Sequence, residues 1–309
     1  MKSDRFKGYL FAIIGTVAFS NEYIFSKAAL NQVHLAQFGV YWFFISTIAM
    51  MLYMLFQKKL QIVKKLTKGQ WRILLLLGIL EILTATSFYL SIHIIPDPAV
   101  TSFLGNMYPL MLAFGGIILL KERFGLLEAA GAVLAITGTF IISYTGETSL
   151  DKMFISGTGI VFINALFATA ASLIVKVHVK HTDAGILNLN RSVWLLVFSL
   201  IMFFVFRQSF LIPFEALKNI FVGALLGPFL AILAIYSSFK YMEASKSSVV
   251  QSLKGIFVLI GAWLLFGTLP LPHQMVGGLI TVAGVAIMSM AQAGIFKWRR
   301  GPEVNKIPR

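Results

Sequence analysis

The sequence predicts an all-α integral membrane protein, with ten transmembrane helices arranged as two inverted five-helix repeats. Three observations carry that reading. Hydrophobic residues make up 58% of the 309 positions and charged residues only 12%, about half the charge of an ordinary globular chain. Apolar runs long enough to cross a bilayer recur from end to end. The second half of the chain also repeats features of the first at a near-constant offset. This composition excludes a large extramembrane domain and most soluble catalysis. The absence of cysteine excludes disulfides, thiolate metal sites and cysteine nucleophiles.

A span needs about 20 apolar residues, and such runs fall at 8–29, 36–56, 71–92, 97–120, 125–144, 154–176, 183–206, 219–241, 245–267 and 271–296. Their length favours helices over barrel strands of about ten alternating residues. The first run follows Lys2, Arg5 and Lys7 as the core of a signal peptide would. It is long, holds Asn21 and Glu22 and has no small-residue cleavage site, so it reads as an uncleaved helix. The second stops at Lys58 and Lys59, and the third carries Glu81 about ten residues in. The fourth contains Gly105 and Pro109, and the eighth Gly227 and Pro228. Proline removes a helical hydrogen bond, so these four residues are candidate helix breaks or hinges. The fifth and tenth, with Gly125, Gly131 and Gly138 and with Gly277, Gly278 and Gly284, read as close-packing helices. The ninth carries Lys254.

Charge sets the orientation. With the N-terminus inside, twenty of the 26 lysines and arginines fall on the cytoplasmic side and four outside; Arg191 and Lys254 lie within spans. The positive-inside rule then places both termini in the cytoplasm. It also accounts for the net charge of +14 without nucleic acid, for which no motif is present.

An offset of 146 superposes Ser91 on Ser237, Ser102 on Ser248, Gly131 on Gly277 and Gly138 on Gly284. An offset of 149 superposes Gly8 on Gly157 and Lys27 on Lys176. The expected organisation is a first repeat over 1–146, a second over 150–296 and a basic cytoplasmic tail over 297–309. Five helices per repeat make the second enter from the opposite side. In secondary transporters built that way the site lies near the midplane, between the repeats.

Ser20-Asn21 followed by Lys27 resembles the first-helix signature of the EamA group of the drug/metabolite transporter superfamily. So does the stretch Pro98-Ala99-Val100, Tyr108-Pro109, Leu119-Leu120-Lys121-Glu122-Arg123, Gly131 and Gly138. The resemblance covers essentially the full chain. It implies ten helices, an inverted five-plus-five repeat and export of small metabolites such as amino acids, or of drugs. It also makes helices five and ten peripheral to the pathway and able to support a homodimer. The second half departs from the pattern: Gly255 stands where Pro109 stands, and Thr268 where Glu122 does.

Ionisable residues inside spans need a reason. Lys254 aligns with Tyr108, so both halves place a polar group there. An uncompensated charge at that depth costs at least about 3 kcal/mol, so Lys254 should face a wet cavity or a carboxylate. Two readings stand, substrate anion binding or a structural ion pair. Glu22 and Glu81 are the candidate countercharges, proton carriers or ligands for a substrate ammonium, and burial would raise a carboxylate's pKa. Asn21 can bond between helices. Tyr89, Trp42, Tyr108 and Trp263 can shape an aromatic pocket, although aromatic residues in spans more often pack or anchor. Arg191 reads as an interfacial anchor, and Glu122 as a helix-end ion pair. His178, His181 and Asp183 have metal-like spacing but no further ligands, so no metal is expected. Nor is a cofactor, since no P-loop or hydrolase motif occurs. The reading is a non-enzymatic secondary transporter of the cytoplasmic membrane. Its partners are a small-molecule substrate, protons as coupling ion and the lipid bilayer. The alternative is an intramembrane enzyme or lipid-handling protein using Glu22 or Glu81 as acid or base.

Overall fold

A chain in lipid has no water to satisfy its peptide groups, so each span must close its hydrogen bonds internally. The computed structural model describes residues 2–120, 125–145, 154–242, 247 and 250–292. The elements named among them are all helical. The first half comprises α1 (Lys2–Leu30), α2 (Leu35–Phe56), the single turn α3 (Leu60–Val63), α4 (Lys68–Ile94), α5 (Pro98–Leu104), α6 (Met107–Leu120) and α7 (Leu126–Ser143). The second comprises α8 (Thr158–His178), α9 (Ala184–Val205), α10 (Phe214–Ala224), a π-helical segment (Leu225–Ala231), α11 (Ile232–Tyr241), α12 (Lys254–Phe266) and α13 (Pro272–Gln292). Shifting α2 by 149 reproduces α9 residue for residue, and shifting the start of α7 by 146 gives the start of α13.

Among the described residues, six stretches are each long and apolar enough to cross a membrane: 6–30, 35–56, 68–94, 158–178, 184–205 and 214–241. The other expected spans are shorter or interrupted helices. The protein is therefore a multi-pass, all-helical membrane protein. Its outer surface agrees with that, since Leu75, Ile79, Ile136 and Phe204 are exposed, as a lipid-facing surface requires.

Local chemistry explains where the elements begin and break. The expected 71–92 span starts earlier, at Lys68, because Thr67 and Gln70 form a reciprocal capping box. The expected 97–120 span is two helices separated at Gly105 and Asn106. Pro109 has no amide to return to the Gly105 carbonyl. Tyr108 N–H reaches that carbonyl instead, at 3.2 Å. The 219–241 span begins at Phe214 and widens into the π-helical segment around Pro228. There Asn188 Nδ2 donates to the Pro228 and Phe229 carbonyls at 3.0 and 3.1 Å.

The halves meet along antiparallel helix pairs. α7 packs on α13 with backbones nearly in contact, Gly131 against Gly284 and Gly138 against Gly277. The offset of 146 exchanges these two contacts. α2 packs on α9 in the same manner: Gly39 lies against Ser199, and Asn188 Nδ2 lies 3.3 Å from Met50 Sδ. Here the offset of 149 exchanges the contacts, since it carries Gly39 onto Asn188 and Met50 onto Ser199. Small residues let backbones approach where the hydrophobic effect cannot drive association.

Candidate functional site

Charged and polar residues from deep within several spans converge on one place. Glu22 on α1, Glu81 on α4, Tyr108 on α6, Arg191 on α9, Tyr236 on α11 and Lys254 at the start of α12 line one cavity of about 90 Å³. Phe19, Tyr23 and Phe88 supply much of its apolar wall, and Asn164 and Ser172 on α8 add polar groups. One water needs roughly 10–15 Å³ of such space, so the cavity admits a small solute or several waters.

Glu81 and Arg191 form a buried ion pair, Nε to Oε2 at 2.8 Å, and the Tyr236 hydroxyl donates to the other Glu81 oxygen at 2.6 Å. Glu22 is fully buried. Its Oε1 accepts a short hydrogen bond from the Tyr89 hydroxyl, while Oε2 has no hydrogen-bond partner. The carboxylate lies against Gly227 in the π-helical segment, where a Cβ would come within 2.6 Å of it. Lys254 Nζ donates to the Gly105 carbonyl at 3.2 Å, the carbonyl that Pro109 deprives of its helical donor. Its ammonium also stands 5.8–5.9 Å from the centroids of the Phe19, Tyr23 and Tyr108 rings, within cation–π range. Among the described residues no carboxylate lies within ion-pair distance of it.

The structure thus brings together Lys254, Glu22, Glu81 and Tyr108, with Gly105 in the wall. No ion pair joins Lys254 to either glutamate. Tyr89 touches the site through Glu22, and the buried Trp42 packs edge-on against Tyr89. Pro109 lies in the first turn of α6, and Gly227 and Pro228 in the π-helical segment. Trp263 is 55% exposed and does not line the cavity. Asn21 donates to the Val17 carbonyl of its own helix at 2.9 Å rather than across helices. Arg191 is a correction: it is buried and ion-paired, not an interfacial anchor. Asp183 caps Gly185 N–H and pairs with Lys59 at 2.9 Å. Glu122 and the 297–309 tail lie outside the described residues.

Two lysines related by the offset of 149 occupy matching places. Lys27 Nζ donates to the carbonyls of Ile92, His93 and Ile95 at the end of α4. Lys176 Nζ donates to those of Phe239 and Met242 at the end of α11. Both satisfy carbonyls that a helix C-terminus leaves without amides. Just beyond α4, the carboxyl of Asp97 caps α5 through Ala99 N–H at 2.7 Å, and burial raises its pKa.

Comparison with known proteins gives two findings. The model of the EamA-like transporter family matches residues 6–144 and again 155–290. A solved structure described as "Crystal structure of protein" shares this fold with a TM-score of 0.68 at 14% identity, over 91% of this chain and 98% of that one. No curated protein matches the chain significantly.

Proposed function

Because the chain belongs to the EamA-like transporter family, and so is a membrane transporter of the drug/metabolite superfamily, we propose that it exports a small metabolite, an amino acid or related compound, by alternating access. The two repeats, inverted about an axis in the membrane plane, would rock around the cavity in a ten-span arrangement. Both termini would be cytoplasmic in the cytoplasmic membrane, with the 93–97 and 268–273 turns outside. The exchange of helix contacts by the repeat offsets supports the inversion, since a two-fold axis relates contacts in that way.

One observation carries the substrate reading: the Lys254 ammonium, buried between the halves, is met by one carbonyl and three aromatic rings and, among the described residues, by no carboxylate. A substrate carboxylate is the group that such a cation lacks. Glu22 Oε2, which has no hydrogen-bond partner, suits a substrate ammonium or a coupling proton. A zwitterion satisfies both.

The test is uptake of a panel of metabolites by sealed vesicles containing the purified protein. Lys254→Met should abolish or strongly weaken transport while folded yield stays near that of the parent. Unchanged transport in that variant removes Lys254 from the site. Product formation in detergent, without vectorial uptake, would favour an intramembrane enzyme using Glu22 or Glu81 instead.

A further inference from the structure

Arg191 uses only part of its guanidinium. Nε holds Glu81, but the buried Nη1 meets no acceptor. Glu22 has the complementary deficit: Oε1 takes the Tyr89 hydroxyl and the buried Oε2 takes nothing. Both residues line the same cavity, yet no ion pair joins them. A charged group left buried without a partner is expensive, so two complementary deficits beside one cavity point to a contact made in another arrangement.

We infer that Arg191 is an exchangeable ion-pair partner, holding Glu81 in the arrangement seen here and Glu22 in the alternative one. A guanidinium presents five donors in a planar fork and can serve carboxylates on two sides. The other ionisable groups around the cavity are Tyr23 on α1, Tyr108 on α6, Tyr236 on α11 and Lys254 on α12, with Tyr89 of α4 behind Glu22. Tyr236 and Tyr89 each donate to one glutamate, so each carboxylate keeps one hydrogen bond when the arginine leaves. Gly227 leaves the Glu22 carboxylate a place that any side chain at 227 would fill. The inference rests on the transporter reading in one respect. Arg191 belongs to the second half and both glutamates to the first, so the exchange follows relative movement of the halves.

The exchange is read from stability, independently of transport. Thermal unfolding of the purified full-length protein in detergent is compared for Glu81→Gln, Glu22→Gln, the double variant, and the double variant with Arg191→Met added. Glu81→Gln alone should lower the midpoint only slightly, since Glu22 takes over the guanidinium. Glu22→Gln alone should change little. Combined, they strand the arginine and should lower the midpoint by more than about 5 °C beyond the sum of the single effects. Arg191→Met should restore most of that loss. Should Glu81→Gln fail to fold, Glu81→Asp enters the same cycle, its shorter side chain giving a smaller coupling of the same sign. If Glu22→Gln has the same effect whether or not Glu81 is intact, the exchange is refuted. Coupling without vesicle uptake refutes the transporter reading and leaves the exchange standing; uptake without coupling does the reverse.

Discussion

The close approach of the α7 and α13 backbones offers a direct test of how the halves are held together. A Cβ built at Gly138 would lie 2.5 Å from the Gly277 carbonyl oxygen and 2.6 Å from Thr281 N; one built at Gly131 would lie 2.6 Å from Met288 N and 2.7 Å from the Gly284 oxygen. These are backbone atoms, so no side chain can rotate away. Relief requires α7 and α13 to separate by roughly 1 Å, which forfeits a quarter to a half of the dispersion attraction along the contact. Overpacking of this kind costs about 1–3 kcal/mol. The better helix propensity of alanine returns up to about 1 kcal/mol. Gly138→Ala should therefore destabilise by about 1–2 kcal/mol on balance, and Gly138→Leu by more. Adding Gly131→Ala to Gly138→Ala should cost less than the two separate losses, because the first substitution already parts the helices. Gly159 on α8 is the control: a Cβ there meets nothing within 4 Å, and Gly159→Ala should be neutral or stabilising. Denaturation in detergent measures all five variants, the single Gly131→Ala included. Equal stability of the Gly138→Ala and Gly159→Ala proteins would refute the reasoning.

Three further outcomes are expected. The chain has no cysteine, so a single cysteine at the exposed Thr67 should react with an impermeant reagent only from the cytoplasmic face; labelling from outside would reverse the proposed orientation. Glu22→Gln should still exchange substrate across vesicles but lose transport driven by a pH gradient, and survival of gradient-driven transport would rule Glu22 out as the coupling group. The hydrogen bond that Lys59 donates to Asp183 holds the Lys59 pKa above its ordinary value, so the pair stabilises below the unfolded lysine's pKa and stops doing so as pH rises through the folded one. With side chains 32% and 23% exposed it is worth at most about 1 kcal/mol. Lys59→Ala should cost that near neutrality and nothing in strong alkali, and a cost that grew with pH would contradict the assignment.

Charge inside an apolar run was the legible signal, and it located Glu22, Glu81 and Lys254. It also contained Arg191, which proximity to the start of its span disguised as an interfacial residue. α9 begins at Ala184, and seven residues at 1.5 Å each carry Arg191 about 10 Å along it. That is too deep for an anchor once Glu81 waits opposite. Proline chemistry marked the break after Gly105. It did not predict that Pro228 would widen its helix to π geometry, because that response depends on Asn188 reaching the carbonyls from another helix. Aromatic residues were poor guides: Trp42 is buried and Trp263 is largely exposed, and nothing in either local sequence distinguishes an inward ring from an outward one. Asn21 shows a related limit, since bonding back to its own helix removes any need for a partner across the bundle.

The repeat offsets explain why the site could not be symmetric even though its scaffold is nearly so. They carry Glu22 onto Ala171, Glu81 onto Gly227, Arg191 onto Trp42 and Lys254 onto Tyr108. Each charge in one half therefore answers to a small or uncharged residue in the other. Packing makes this a requirement at one pair. Gly227 lies against the Glu22 carboxylate, and even a Cβ there would overlap it; a glutamate at 227, the counterpart of Glu81, could not occupy the same space. Ala171, the counterpart of Glu22, is itself a small residue in the cavity wall. Duplicating all four charges would also place twice as many ions in one low-dielectric cavity, with the desolvation cost rising for every added charge. Close packing of the helices thus depends on the positions the halves share. The buried charges sit at positions where the other half carries a small or an aromatic residue. Applied to the sequence, that criterion selects Arg191 opposite Trp42 as readily as Lys254 opposite Tyr108.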